Sequence, residues 1–209
     1  MIVVTACFRA ETKAIRPREG VRIVRTAMGE RSTRRLSGAF GNSNRGLLLL
    51  STGFCGGLDP ELHLGDVVLA SAVRREDEVL RVDPRLIDRA RAALDARGLA
   101  PHVGEVECPA DVVEPAEKRA LAARGAASVD LESGPLAHWA AANGISFLSC
   151  RVILDSADEE MPFSARVPLW ISVLGHPLTA ARMGHAAGTA ADGIGAAVGC
   201  LLDAWEETR

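Results

Sequence analysis

Short apolar runs alternate along this chain with longer segments in which apolar residues recur every three or four positions. Runs of the first kind predict β-strands, and segments of the second kind predict α-helices. Strands are predicted at residues 2–6, 21–27, 46–52, 66–73, 103–108 and 146–154, and helices at residues 9–15, 31–40, 84–97, 130–144 and 177–205. This alternation predicts an α/β fold, a three-layer αβα sandwich with a central mixed sheet, in one domain over residues 1–209.

Small and capping residues suggest where two of the predicted helices begin or break. In segment 130–144, Ser133 is expected to cap the N-terminus of the helix. Segment 177–205 is rich in alanine and glycine, and it is expected to form either two helices or one long helix broken near Gly188 or Gly193.

The predicted strand 146–154 ends abruptly in acidic residues. Asp155 follows it directly, and Asp158, Glu159 and Glu160 come next. In open α/β sheets ligands bind beyond the carboxyl ends of the strands, so Asp155 is a candidate active-site residue. A cap of the following turn explains Asp155 equally well when it is taken alone.

A glycine-rich segment, residues 51–60, follows the most hydrophobic predicted strand and is predicted to be a loop. Its glycines at positions 53, 56 and 57 would let the backbone approach a ligand closely. Glycines that merely turn the chain are the alternative. The segment matches neither a dinucleotide fingerprint nor a Walker A loop, so a nucleotide cofactor is disfavoured.

Three carboxylates are expected at the carboxyl ends of strands: Glu11, Glu132 and Asp155. Each of them alone is more simply a capping or surface acid. Together they suit a reaction that develops positive charge on a sugar ring, in which one acid protonates the leaving group and the others order hydroxyls and a nucleophile.

Composition excludes several other classes of protein. The chain has 209 residues, of which 48% are hydrophobic and 24% charged, and its net charge of −3 argues against nonspecific nucleic-acid binding. No apolar run is long enough to cross a bilayer, and no signal-peptide core is evident, so we expect a cytoplasmic protein without membrane insertion. The basic group between Arg31 and Arg35 is expected to be a solvated helix face, with a phosphate clamp as the alternative.

Cysteine and histidine spacing supports neither a metal site nor a serine triad. The five cysteines are widely spread without a CxxC pair, the five histidines lack an i,i+4 pair, and no G-x-S-x-G elbow is present. We therefore predict no metal and no organic cofactor. Cys55 is a weak candidate for a nucleophile.

Three segments together resemble the nucleoside phosphorylase superfamily, in the branch that contains methylthioadenosine/S-adenosylhomocysteine nucleosidase. Thr52-Gly-Phe-Cys-Gly-Gly-Leu, followed by Gly65-Asp-Val-Val, resembles the family's glycine loop and next strand. Val129-Asp-Leu-Glu-Ser133 is similar to its V-[DE]-M-E motif, and Arg151-Val-Ile-Leu-Asp155 to its R-x-I-S-D motif. The resemblance covers nearly the whole chain and implies cleavage of the N-glycosidic bond of a purine nucleoside.

The resemblance also implies roles for individual residues. Asp155 matches the general acid that protonates purine N7, Glu132 the carboxylate that binds the ribose 2′- and 3′-hydroxyls, and Glu11 the acid that positions a nucleophilic water. The residues expected to line the base and ribose are Leu131, Phe54, Cys55, Gly56 and Val113, with Val112 beside them.

The chain departs from the family pattern at three positions. Leu154 replaces the serine that precedes the general acid, Phe54 adds bulk where water or phosphate would bind, and Ser51 stands where phosphorylases carry an arginine. Hydrolysis is therefore favoured, although phosphate remains an alternative co-substrate held by another arginine such as Arg9. A non-catalytic nucleoside-binding or sensing protein is the rival hypothesis.

A narrower resemblance is to hopanoid-associated phosphorylase-like proteins. It rests on Gly56-Gly-Leu-Asp-Pro, Gly65-Asp-Val-Val-Leu-Ala-Ser-Ala-Val73 and Val82-Asp-Pro, and it implies an adenosine with an apolar 5′ substituent. The family resemblance further implies a homodimer or larger homo-oligomer. Phe163 and Trp170 are expected in a segment that folds over the ligand.

Overall fold

A computed structural model describes residues 1–36, 38–40, 46–158 and 177–206, with side chains from residue 184 onward in the last segment. Its strands are β1 (Ile2–Ala6), β2 (Val21–Arg25), β3 (Leu48–Gly57), β4 (Val67–Arg75), β5 (Glu78–Arg81), β6 (His102–Glu107), β7 (Ala126–Val129) and β8 (Ser146–Asp155). Its helices are α1 (Arg9–Ala14), a 3₁₀ helix (Gly29–Arg35), α2 (Pro84–Asp95), α3 (Pro115–Ala122), α4 (Ser133–Ala142) and α5 (Pro177–Glu206).

The eight strands form one mixed sheet that closes on itself at one end. The main path runs β2-β1-β3-β7-β6-β4-β5, and β8 pairs with both β3 and β4. Strands β3, β7, β6, β4 and β8 thus complete a five-stranded ring, while β1, β2 and β5 extend from it. The β3–β8 pairing is parallel and the β4–β8 pairing antiparallel. The predicted central mixed sheet is confirmed.

Successive strand residues face different helical layers because side chains alternate across a sheet. Val4 and Leu50 pack in the larger core with Ile15, which follows α1, and with residues of α2 and α5, whereas Val3 and Leu49 pack on the other face with Leu136 of α4. Helices therefore cover both faces of the sheet, which confirms the predicted three-layer αβα sandwich.

Two predictions about backbone structure were wrong. Residues 31–40 do not form an α-helix: the 3₁₀ helix ends at Arg35, where the N–H of Leu36 donates to Thr33 at 3.0 Å. The glycine-rich segment is not a loop as far as Gly57, because β3 continues through it and pairs with β8. Sequence patterns also missed β5, α3 and β7, which are only four to eight residues long.

Helix α4 begins differently from the expectation. Ser133 is the first helical residue and Glu132 is the N-cap, but neither side chain caps the helix. Asp130 does so instead, since its Oδ1 accepts the backbone N–H of Glu132 at 3.0 Å and of Ser133 at 2.8 Å. The hydroxyl of Ser133 is thereby released to bind buried polar groups in the sheet.

Helix α5 is one unbroken helix of 30 residues. Gly193 faces β8, and a Cβ there would lie 3.1 Å from Val152, so this glycine permits close packing and not a break. Across the described ranges, none of the helices combines the length and apolar character needed to cross a bilayer.

Candidate active site

One pocket lies at the ends of β3, β7 and β8, where the sheet ring meets α3. Its empty volume is about 640 Å³ including the open mouth. It is lined by Phe8, Met28, Phe54, Cys55, Gly56, Asp111, Val112, Val113, Lys118, Val129, Asp130, Leu131, Glu132, Leu154 and Asp155. The lining is largely apolar, with a few carboxylates and one ammonium group.

The structure brings most of the predicted site residues to this pocket. Those that line it are Phe54, Cys55, Gly56, Val113, Leu131, Glu132 and Asp155. Glu11 does not line it in the described conformation. The predicted convergence of carboxylates therefore holds for Glu132 and Asp155, whereas Glu11 lies behind β3.

Leu154 is the extra residue of a β-bulge in β8. Cys55 pairs with Ile153, but the next residue, Gly56, pairs with Asp155, so Leu154 has no partner in β3. In a regular strand consecutive side chains point to opposite faces, whereas a bulge re-aims one of them. Leu154 and Asp155 consequently both line the pocket.

Asp155 makes an ion pair with Lys118, a residue that sequence patterns did not single out. Lys118 Nζ contacts Asp155 Oδ2 and donates a hydrogen bond to the carbonyl of Ser156 at 2.8 Å. The Lys118 side chain is 2% exposed and that of Asp155 is 9% exposed. The proposed general acid therefore has a buried cation as its immediate partner.

Arg151 neutralises the acids at the other end of the pocket. Its Nε lies 2.8 Å from Asp130 Oδ2, and its Nη1 lies 3.6 Å from Glu132 Oε2. Arg151 also donates to Ser51 Oγ at 2.8 Å and to Ser133 Oγ at 3.1 Å. A guanidinium held at so many points is fixed in orientation, and it fixes Glu132 in turn.

Glu132 is poised to change charge near neutral pH. Burial raises the pKa of Glu132 to about 7, because the cost of desolvation outweighs the attraction of Arg151, and nearby Asp130 raises it further. Its Oε1 accepts the backbone N–H of Gly29 at 3.3 Å. A carboxylate in such a place can accept hydrogen bonds from two adjacent hydroxyls of a ligand.

Glu11 is held by three backbone N–H groups behind the pocket. Its Oε2 accepts from Cys7 at 2.7 Å and from Phe8 at 2.6 Å, and its Oε1 accepts from Phe54 at 2.8 Å. Burial raises the pKa of Glu11, and these hydrogen bonds together with Arg151 offset part of the effect.

Gly53 brings Glu11 and Arg151 to a common point. A Cβ on Gly53 would lie 2.8 Å from Arg151 Nη1 and 2.9 Å from Glu11 Oε1. Its φ of +143° also favours glycine. The absence of a side chain at this position therefore lets a carboxylate and a guanidinium share the space beside β3.

Aromatic rings form one wall of the pocket. Phe8 and Phe54 stack with ring centroids 6.1 Å apart and planes inclined by 24°. Next to them, burial raises the pKa of the Cys55 thiol far above its ordinary value. A thiol that stays protonated is a poor nucleophile, which argues against the nucleophile hypothesis for Cys55.

The arginines considered as phosphate ligands lie away from the pocket. Arg9, Arg31, Arg34 and Arg35 are exposed, and none of them lines it. Arg35 donates to the carbonyl of Arg25 at 3.2 Å. Among the described residues, no group of three or more His, Cys, Asp or Glu is arranged to hold a metal ion. Phe163 and Trp170, predicted to cover the ligand, lie outside the described residues.

Three site residues that sequence patterns did not single out, Lys118, Asp130 and Arg151, nevertheless left a signal in the sequence. Lys118 is one of only two lysines among 24 basic residues, and Asp130 and Arg151 stand inside the two motifs that supplied Glu132 and Asp155. The signal was the type of residue and, for two of them, its place in a motif. The ion pairs could not be predicted from it, because they join positions far apart in the chain.

Fold and pocket together define an α/β protein with a ligand site at the carboxyl end of its sheet, where two acids are each paired with a buried cation. The sequence profile of the Phosphorylase superfamily matches residues 18–170. The chain belongs to that superfamily.

Solved structures share the fold across nearly the whole chain. Futalosine hydrolase of Helicobacter pylori strain 26695 superposes with a TM-score of 0.74 at 14% identity, covering 97% of each chain. A putative 5′-methylthioadenosine/S-adenosylhomocysteine nucleosidase of Borrelia burgdorferi B31, bound to adenine, gives 0.76 at 13% identity, covering 97% of this chain and 99% of that one.

A curated relative matches a shorter stretch. The DeoD-type purine nucleoside phosphorylase of Streptococcus pyogenes serotype M12 (strain MGAS2096) is 28% identical over 125 residues, which are 53% of this chain and 52% of that protein. The match thus spans about half the length of the curated relative.

Proposed function

We propose that this protein cleaves the N-glycosidic bond of a purine nucleoside, an adenosine with a 5′ substituent, by hydrolysis, and releases the base. One observation carries the proposal: a single pocket is lined both by Asp155, which pairs with the buried Lys118, and by Glu132, which lies 3.6 Å from Arg151. Breaking such a bond moves electrons into the base and leaves positive charge on the sugar, so it needs an acid at the base and a carboxylate at the sugar.

Each group has a defined part in the proposed reaction. Glu132, as a carboxylate, binds the ribose hydroxyls and stabilises the developing ribosyl cation. As the C1′–N9 bond breaks, its electron pair passes into the purine and Asp155 gives a proton to N7. Water adds to C1′ and loses a proton to a carboxylate, for which Glu11 is our candidate. Glu11 accepts the backbone N–H of Phe54, a lining residue, although Glu11 itself is not part of the described lining.

The distribution of cations supports water as the nucleophile. Lys118, which lines the pocket, is already paired with Asp155, and Arg151 is already paired with the lining acids Asp130 and Glu132. Ser51 stands at the position where the phosphorylase pattern has arginine, and it receives a hydrogen bond from Arg151. A bound phosphate would therefore compete with carboxylates for the same positive charge.

The apolar mouth supports a 5′ substituent of low polarity. Phe8, Met28, Val112 and Val113 line the pocket, and their burial by a ligand would contribute to affinity roughly in proportion to the apolar area covered. The superfamily neighbours named for 5′-methylthioadenosine and for futalosine agree with a substituted nucleoside as ligand.

The proposal is tested by measuring base release from adenosine, methylthioadenosine, inosine and lipid-linked adenosines, with and without phosphate. Hydrolysis predicts free ribose product and no dependence on phosphate. Asp155→Asn should lower kcat by about 100-fold or more, because a general acid contributes about that much. Asp158→Asn is the matched control, since its side chain is 88% exposed.

Three outcomes would contradict parts of the proposal. Near-normal turnover by Asp155→Asn would remove the assigned acid. Formation of ribose 1-phosphate would replace hydrolysis by phosphorolysis. Binding of adenosine analogues in calorimetry, without release of base by the wild-type protein, would instead favour the rival hypothesis of a non-catalytic sensor.

A further inference from the structure

Lys118 is placed unusually for a lysine of this chain. Only two of the 24 basic residues are lysines, and this one projects from α3 into the pocket with 2% of its side chain exposed. Its ammonium group contacts Asp155 Oδ2 and the carbonyl of Ser156. The backbone carbonyl anchors the ammonium at the end of β8, and the ammonium therefore fixes the direction of the Asp155 carboxyl.

Burying an ammonium group costs desolvation free energy unless ion pairs and hydrogen bonds in the protein offset it. An arginine in its place would also have supplied a positive charge, and this chain uses arginine almost everywhere else. A lysine differs from an arginine in two respects that matter here: its head group is compact, and it can give up a proton within a protein, which a guanidinium does not do.

The ion pair with Lys118 bears on how Asp155 could act as a general acid. A carboxyl group next to a cation is favoured in its ionised form, yet a general acid has to deliver a proton. An ammonium group in contact with the carboxyl is itself a source of a proton. Both heavy atoms needed to pass it on are already in contact.

We propose that Lys118 is a positioning residue that orients Asp155 and recharges it with the proton that the purine takes. This inference rests on the proposed function. As the C1′–N9 bond breaks, its electron pair moves into the base, the proton held between Lys118 Nζ and Asp155 passes to N7, and Lys118 is left neutral with Asp155 ionised. The proton lost by the attacking water restores the balance when Lys118 is reprotonated through solvent after the products leave.

Other titratable groups share the pocket with Lys118. Asp111 lies in the loop before α3, while Asp130 and Glu132 follow β7, and all three line the same pocket. Cys55 lines it from β3, and burial raises the pKa of its thiol. Asp130 and Glu132 pair with Arg151, whereas Asp155 is the carboxylate that Lys118 contacts.

The test compares the pH dependence of kcat and KM in Lys118→Gln, Lys118→Arg and the wild-type protein. Lys118→Gln should keep activity at acidic pH, where solvent protonates Asp155, and lose about tenfold in kcat per pH unit above the point where that carboxyl ionises. KM should stay within about twofold of the wild-type value, because ribose binding is untouched. Lys118→Arg keeps the charge but not the mobile proton, so kcat should fall at every pH.

Two controls separate proton supply from structure and from charge alone. Arg119→Gln removes a neighbouring cation of α3 whose side chain is 66% exposed, and its pH profile should match the wild type. In Lys118→Ala, added ethylammonium should restore turnover, whereas tetramethylammonium, which carries charge but no proton, should not. Melting temperatures of all variants report whether each is folded.

Several results would overturn the inference. A Lys118→Gln profile that superimposes on the wild type would do so, and so would equal rescue by both ammonium ions or a loss confined to KM. Failure of the proposed function has a different signature: in that case the wild-type protein itself releases no base from any nucleoside, and this inference falls with it.

Discussion

Replacing Gly53 by alanine tests whether Glu11 and Arg151 meet beside β3 as described. The new methyl group would lie 2.8 Å from Arg151 Nη1 and 2.9 Å from Glu11 Oε1, closer than carbon approaches such atoms. Both groups are buried, so neither can swing into solvent to make room. The matched control is Gly98→Ala, where φ is also positive, at +75°, but nothing lies within 4 Å of the added Cβ.

Both substitutions place a side chain at positive φ, but only the one at Gly53 also crowds neighbouring groups. Strain from positive φ costs about 1–3 kcal/mol. Displacing a buried charged group weakens its hydrogen bonds, at about 1.5–3 kcal/mol for a bond to a charged partner. We therefore expect Gly53→Ala to lower the free energy of unfolding by about 3–5 kcal/mol, and Gly98→Ala to lower it by about 1 kcal/mol.

Urea denaturation followed by circular dichroism measures both values, with equal m-values as the check that the unfolded states are comparable. Double substitution of Gly53→Ala with Glu11→Gln should show non-additivity, since the two positions are in contact. Equal destabilisation by Gly53→Ala and Gly98→Ala would refute the crowding argument and leave only backbone strain.

Four further outcomes are expected. Burial raises the pKa of Glu132 from 4.5 to about 7, so the folded protein binds more protons than the unfolded one between these pH values, and its stability falls as pH rises through that window. Glu132→Gln should flatten this fall when the free energy of unfolding is measured by urea titration at several pH values. Parallel plots of that free energy against pH for variant and wild type would contradict the expectation. Arg151→Met should cost about 3–5 kcal/mol by leaving buried acids unpaired, against less than about 1 kcal/mol for the exposed Arg97→Gln. Cys55→Ala should keep its turnover, which loss of base release would disprove. Light scattering should give a homodimer or larger assembly, and a monomer would refute this expectation.

The apolar pattern predicted most strands because their burial is nearly continuous. Strand β1 has the predicted bounds, and β8 ends one residue later than predicted, since both strands are rich in apolar residues and nearly continuously buried. Strand β7, with four residues, is too short to carry a period, and α3 has a weak apolar face. The glycine-rich segment was wrongly predicted to be a loop for a different reason. Glycine is common in turns, but the glycines of β3 allow neighbouring groups to approach the strand closely.

At the site, motifs predicted which acids line the pocket but not what holds them. Glu132 follows β7 and Asp155 is the last residue of β8, and the end of a strand can be predicted from the sequence. The pairing of Asp155 with Lys118 joins residues 37 positions apart through α3, an element the pattern missed. Leu154 illustrates the same limit, because a bulge depends on the register between β3 and β8 and leaves no mark in β8 alone.

The closed ring of strands has a consequence for the order in which the protein can assemble. Strand β8 is the last strand in the chain, and it completes the ring by pairing with β3 and β4. During synthesis β3 and β4 are made before β8, and the edges that pair with β8 stay unpaired until residues 146–155 have been made. The pairing of β3 and β4 with β8 is therefore late and non-local. The strand that closes the ring also ends in Asp155, the proposed general acid. A nascent or truncated chain that lacks it therefore has neither a closed ring of strands nor a complete pocket.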